Sequence, residues 1–141
     1  MNNWIKVFTA ANAFLFQKTH GRLGNRMGRQ SVLLLHTIGR KSGKTYTTPL
    51  SYYRDGDNYL LVASNWGKEE HPNWFRNLLQ NPGTTIQVGA TTIPVAFHQA
   101  QGEEYKRLWE VVTRQNDQYL KYQKGLARQI PIVILTPTTS A

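Results

Sequence analysis

The chain is predicted to fold as an α+β domain, mainly antiparallel β, in which about six strands close into a barrel with flanking helices. Three observations predict this. Apolar or Thr/Tyr-rich runs of strand length recur between turn signals along most of the chain. Helical periodicity is confined to a few separate stretches. A six-stranded antiparallel sheet in only 141 residues has edges to protect, and closure removes them.

The elements follow in order. Trp4, Val7, Phe8, Ala11, Phe14 and Leu15 recur at helical spacing over residues 4–18, and Gly21 stops that amphipathic helix. Residues 21–29 hold too many glycines for a helix and too few apolar residues for a strand, so they form a basic loop. Residues 32–38 are a nearly continuous apolar strand, and residues 45–53 a second strand whose Pro49 suits an edge or bulge. The turn signal Asp55-Gly56-Asp57 leads to a strand at 59–63, making residues 45–63 a predicted hairpin. Pro72 opens and Pro82 ends a short helix between them. Strands at 84–88 and 91–97 flank Gly89-Ala90 as another hairpin. Tyr105, Leu108, Trp109 and Val112 mark a helix over 103–115, and residues 130–135 supply the last strand. The predicted organisation is an N-terminal amphipathic helix over 1–20 and a single barrel domain over 21–141.

Charge is distributed unevenly. Lys and Arg number 17 against 8 Asp and Glu, and the first 54 residues contain no acidic residue at all. The excess is densest at Gly39-Arg40-Lys41-Ser42-Gly43-Lys44, a loop between two strands that would attract a phosphate or carboxylate. It is not a Walker A loop: three residues rather than four precede Gly43-Lys44-Thr45, and a β-prone, proline-interrupted segment follows where a helix would be needed.

The absence of cysteine removes disulfides and thiolate chemistry. His20, His36, His71 and His98 show no metal-ligand spacing, and no serine sits in a nucleophile elbow, so neither a metal site nor a hydrolytic triad is predicted. No apolar run is long enough to span a bilayer and the first residues lack a secretory signature, so the chain is expected to be cytoplasmic. The first helix, with Trp4, Phe8, Phe14 and Phe16 followed by Lys18, Arg22, Arg26 and Arg29, could seat peripherally on anionic lipid. Single-stranded nucleic acid is the rival partner for so basic a chain, but its cations gather at one loop and the segment before it rather than alternating with aromatics along strands.

Taken together, the Gly39-Arg40-Lys41-Ser42-Gly43 strand end, Thr48-Pro49-Leu50, Asp55-Gly56-Asp57, Val62-Ala63-Ser64-Asn65, Pro72-Asn73-Trp74-Phe75-Arg76-Asn77-Leu78, Asn81-Pro82 and Arg128-Gln129-Ile130-Pro131-Ile132-Val133 resemble the deazaflavin (F420)-dependent nitroreductase and quinone reductase family. The resemblance spans residues 21–136 and implies a split β-barrel related to the pyridoxamine phosphate oxidases. It also implies coenzyme F420 and hydride transfer from the reduced deazaflavin to a quinone, nitroaromatic or activated alkene. A phosphodiester with an oligoglutamate tail is a polyanion that a basic groove would hold by charge-assisted hydrogen bonds.

By that resemblance, Arg40, Lys41, Ser42 and Lys44 would hold the phosphate and tail. Pro49, Ala63, Ser64, Asn65, Asn73 and Trp74 would line the ring and linker, and Ser64, Tyr119 and Tyr122 would act on the acceptor side. Two positions depart from the family pattern: Tyr46 and Asn65 stand where many members carry cations, which keeps FMN as an alternative cofactor. Related barrels pair into dimers, so a homodimer is expected by the same resemblance.

Overall fold

The computed structural model describes residues 31–138. Seven strands are β1 (Val32–Ile38), β2 (Thr45–Ser51), β3 (Tyr53–Asp55), β4 (Asn58–Val62), β5 (Gly83–Val88), β6 (Thr91–Gln99) and β7 (Ile132–Pro137). Three helices, α1 (Asn73–Gln80), α2 (Gly102–Gln115) and α3 (Gln118–Lys124), join them, and a short 3-10 turn spans Asn65–Gly67. The predicted helix over 4–18 and basic loop over 21–29 lie outside the described residues.

The strands form one antiparallel sheet in the order β2-β1-β5-β6-β7-β4-β3. Its two edge strands, β2 and β3, are consecutive in sequence with only Tyr52 between them. The sheet must therefore curl until its edges meet, which is the split-barrel arrangement. The predicted hairpin over 45–63 needs correcting on this point. Thr45–Ser51 pairs along its whole length with β1, from Ile38↔Thr45 to Val32↔Ser51. Only Tyr53–Asp55 folds back on β4 across Gly56, whose φ of +60° suits glycine. One predicted strand thus serves both edges, and the described residues hold seven strands rather than about six.

Alternation divides the core by sheet face. Leu33, Leu35, Leu61, Val133 and Leu135 point inward, where Ile86, Val95 and the α1 residues Trp74, Phe75 and Leu78 join them. Leu60, Ile132 and Ile134 point to the other face and are covered by Tyr105, Leu108 and Val112 of α2 and Tyr119 of α3. The adjacent interior strands β4 and β7 are buried on both faces over Tyr59–Leu61 and Ile132–Leu135, which accounts for the apolar runs there. Helix α3 is not predicted as a separate element, because seven residues with apolar side chains only at Tyr119, Leu120 and Tyr122 carry too short a period to read.

Candidate functional site

The β1–β2 loop is built tightly. Gly39 N–H donates to the Lys44 carbonyl at 2.7 Å, and Gly43 N–H to the Gly39 carbonyl at 2.9 Å. Gly43 has φ +71°, and a Cβ on Gly39 would stand 2.6 Å from Ser42 Oγ and 2.7 Å from a Tyr46 ring carbon. Both glycines are therefore dictated by geometry. Ser42 Oγ accepts from Lys44 N–H at 3.2 Å and shares a 3.2 Å hydrogen bond with the Tyr46 hydroxyl.

Helix α1 meets this loop through two asparagines one turn apart. Asn77 is buried, and its Oδ1 accepts from both the backbone N–H of Arg40 at 3.2 Å and its Nη1 at 3.0 Å. Its Nδ2 reaches Thr37 Oγ1 at 3.4 Å, and Asn73 Oδ1 lies 3.4 Å from Arg40 Nη2. The result is a pocket of about 350 Å³ lined by loop residues Gly39, Arg40, Lys41 and Ser42, strand residues Thr37, Tyr46 and Thr48, and helix residues Asn73, Trp74 and Asn77. Among the described residues no carboxylate forms an ion pair with Arg40, Lys41 or Lys44, since every such pair engages Asp55 or a glutamate of α2 elsewhere. The pocket therefore carries uncompensated positive charge beside an indole wall.

Five predicted site residues, Arg40, Lys41, Ser42, Asn73 and Trp74, thus meet in one pocket. Lys44, Pro49, Ala63, Ser64 and Asn65 stand outside its lining. Lys44 is exposed at the loop's end, and Pro49 lies on edge strand β2 opposite Leu34, where a missing N–H is tolerated. Ala63 is fully buried in the inner cluster. Ser64 and Asn65 begin the turn after β4, and the Asn65 amide donates to the Glu70 carbonyl at 2.8 Å.

The two tyrosines of α3 part company. Tyr119 is buried in the outer cluster, with its hydroxyl 3.0 Å from that of Tyr53. Burial, followed by that hydrogen bond, holds its pKa well above the ordinary tyrosine value. Tyr122 is half-buried, and its ring lies against Gly67, where a Cβ would stand 2.8 Å away. Tyr105, on the buried face of α2, donates to the Ile130 carbonyl at 2.6 Å, and burial pushes its pKa up to about 12.

Sequence reasoning passed over Asn77, Thr37, Tyr46 and Arg128 as site residues. The i, i+4 spacing of Asn73 and Asn77 was the available signal, since it puts both amides on one helix face. Arg128 was visible only as part of a motif. In the structure its guanidinium donates to the carbonyls of Ala63 at 3.3 Å, Ser64 at 2.9 Å and Lys68 at 2.8 and 3.1 Å.

Comparison with known proteins places these features in context. The family model described as F420H(2)-dependent quinone reductase matches residues 9–137. The F420H(2)-dependent quinone reductase Rv1261c of Mycobacterium tuberculosis is 42% identical over 126 residues, covering 86% of this chain and 85% of that protein. Among solved structures, an F420-H2 dependent reductase (FDR-A) superposes with a TM-score of 0.68 at 32% identity, covering 74% of this chain and 92% of the other. A structure described as a domain-swapped dimer superposes with a TM-score of 0.69 at 27% identity, covering 94% and 97%.

Proposed function

The chain belongs to the F420H(2)-dependent quinone reductase family, and from that premise we propose that the pocket at the β1–β2 loop holds the anionic part of coenzyme F420. The enzyme is an F420-dependent oxidoreductase, and its relatives are named F420H(2)-dependent quinone reductases. The observation that carries the site assignment is the pairing of unneutralised Arg40 and Lys41 with the Trp74 wall in one pocket of about 350 Å³.

The donors present fit a phosphorylated, carboxylate-tailed ligand. Lys41 is exposed and offers three N–H donors, while Arg40 is held in place by Asn77 and Asn73, with the N–H groups those bonds leave free available to a ligand. Ser42 adds a hydroxyl already oriented by Tyr46 and Lys44 N–H. Lys44 extends the positive field along the loop. We assign Pro49, Ala63, Ser64 and Asn65 to the ring and linker side, on the resemblance of their motifs.

When bound, reduced F420 supplies a hydride from its deazaflavin ring, and a quinone acceptor takes up that hydride with one proton to become the hydroquinone. The protein's work is to hold the reactants face to face, exclude water and offer donors where negative charge grows on the acceptor oxygen. Ser64 and Tyr122 carry hydroxyls suited to that last task. Tyr119, its hydroxyl committed to Tyr53, is assigned a supporting place: it fixes α3 and so sets the position of Tyr122. A homodimer is the quaternary state we propose, supported by the relative described as a domain-swapped dimer. The membrane-facing role suggested for residues 4–18 falls outside the described residues, and no described helix is long and apolar enough to cross a bilayer.

Fluorescence titration with F420 beside FMN, at low and moderate salt, tests the assignment. Tight, salt-sensitive binding of F420 with F420H2-dependent reduction of a quinone is the expected result. Preference for FMN, or binding indifferent to salt, would overturn it.

A further inference from the structure

The segment after β4 adopts an uncommon backbone. Asn65, Trp66 and Gly67 have φ of +52°, +59° and +80°, so two successive side-chain-bearing residues occupy the left-handed region that disfavours them. Such a turn persists only when its surroundings fix it. Arg128 supplies that constraint. Besides its bonds to the Ala63, Ser64 and Lys68 carbonyls, its Nη2 reaches the Glu70 carbonyl at 3.4 Å, and its Nη1 lies 3.2 Å from His71 Nδ1. Among the described residues it forms no ion pair, so this guanidinium serves backbone carbonyls. Tyr122 packs on Gly67 from α3, leaving no room for a Cβ there.

What this arrangement displays is an indole. Trp66 is 81% exposed, whereas the other exposed large apolar residues among those described, Ile38, Leu79 and Leu120, retain about half their contact with the protein. A strained, heavily braced turn that leaves a tryptophan in solvent gains nothing for folding. The exposed residues that follow, Lys68, Glu69 and Glu70, include two carboxylates, which disfavours an anionic membrane as the indole's partner. Ser64, assigned above to the acceptor side, begins the same turn.

We propose that this turn is the acceptor-facing wall of the site, with Trp66 the residue that selects flat aromatic acceptors by stacking and Arg128 the positioning residue that holds Trp66 and Ser64 in place. The inference rests on the F420 assignment above and names the acceptor determinant within it. A quinone ring offers the face that an indole stacks upon, and the braced backbone fixes where the Trp66 Cα, and so the base of its indole, stands.

The test uses the intact protein and its Trp66→Ala, Trp66→Phe and Arg128→Lys variants, with menadione as the probe. Menadione binding is read by quenching of intrinsic fluorescence, with and without F420, and turnover is followed separately. Trp66→Ala should bind F420 as the parent does, while menadione binding weakens about three- to tenfold and KM rises in parallel with kcat little changed. Trp66→Phe should recover most of that loss. Arg128→Lys keeps the charge but not the fork, so it should raise KM likewise and speed amide exchange over residues 64–70. Parental menadione affinity and KM in Trp66→Ala, with F420 still bound, would overturn the proposal. Absence of F420 binding in the parent would instead remove the cofactor assignment, and Trp66-dependent quenching by menadione would then still identify the wall.

Discussion

Asn77 receives two hydrogen bonds from Arg40, one from its backbone N–H and one from its guanidinium, through a single buried carbonyl oxygen. The helix thereby fixes both the path of the basic loop and the direction of its first cation. Replacing Asn77 with Ala strands the Arg40 N–H and removes the partner of Thr37 Oγ1. We expect a loss of about 1–3 kcal/mol in unfolding free energy, read by urea denaturation, together with weaker F420 binding. Asn77→Asp should retain the geometry yet weaken the anion further than its stability loss explains, because a carboxylate would neutralise Arg40.

Lys41 is exposed and makes no described ion pair, so its charge is available to a ligand and not needed by the fold. Lys41→Ala should cost about 1.5–3 kcal/mol of F420 affinity with an unchanged urea midpoint. The deficit should shrink as salt rises, since screening already weakens the parent. Equal affinity in parent and variant at low salt would move the phosphate away from this loop.

Tyr119 and Tyr53 share a buried hydrogen bond on the sheet face opposite Trp74's cluster. Tyr119→Phe should therefore lower stability by about 0.5–1.5 kcal/mol while F420 affinity stays the same. Turnover should fall less than in Tyr122→Phe if Tyr122 is the donor. A larger turnover loss in Tyr119→Phe, measured with the same acceptor, would restore Tyr119 as a catalytic residue.

Two histidines give the fold a pH dependence of known sign. Burial lowers the pKa of His36 below 6.5, and burial with the nearby Arg128 and Arg76 charges does the same for His71. Both remain neutral in the fold at pH values where the unfolded chain has begun to take up protons. Their contribution is full above 6.5 and declines as pH falls from 6.5 through each folded-state value. The urea midpoint should fall over that interval, and the slope should flatten in His36→Asn combined with His71→Asn.

Much of the sheet was legible because period and punctuation agreed. Residues 32–38 and 91–97 read as strands from their apolar or β-branched content, and Pro72 and Pro82 bracketed α1. The partition of residues 45–55 was not legible. Nothing local in Ser51-Tyr52-Tyr53 says that the chain leaves one edge of the sheet and enters the other, since Ser51 pairs back with Val32 while Tyr53 pairs forward with Leu60, and it is the Leu60–Ile134 pairing that carries β4 to the far edge. The basic half of the site could be read from charge alone, because Arg40 and Lys41 are clustered in sequence. Asn77 and Arg128 escaped because each acts on backbone atoms brought to it by tertiary structure.

Tyr52, standing alone between the two edge strands, also bears on how the chain finds its shape. In a barrel closed only by hydrogen bonds, the first and last strands must be brought together at the end of the search, against the entropy of everything between them. Here those strands are neighbours along the polypeptide from the moment of synthesis. The difficult encounters are moved to the middle of the sheet, to the pairing of β4 with β7 and of β1 with β5. Substitutions in Leu60, Leu61, Val133 or Ile134 should therefore slow folding, whereas changes beside Tyr52 should mainly hasten unfolding.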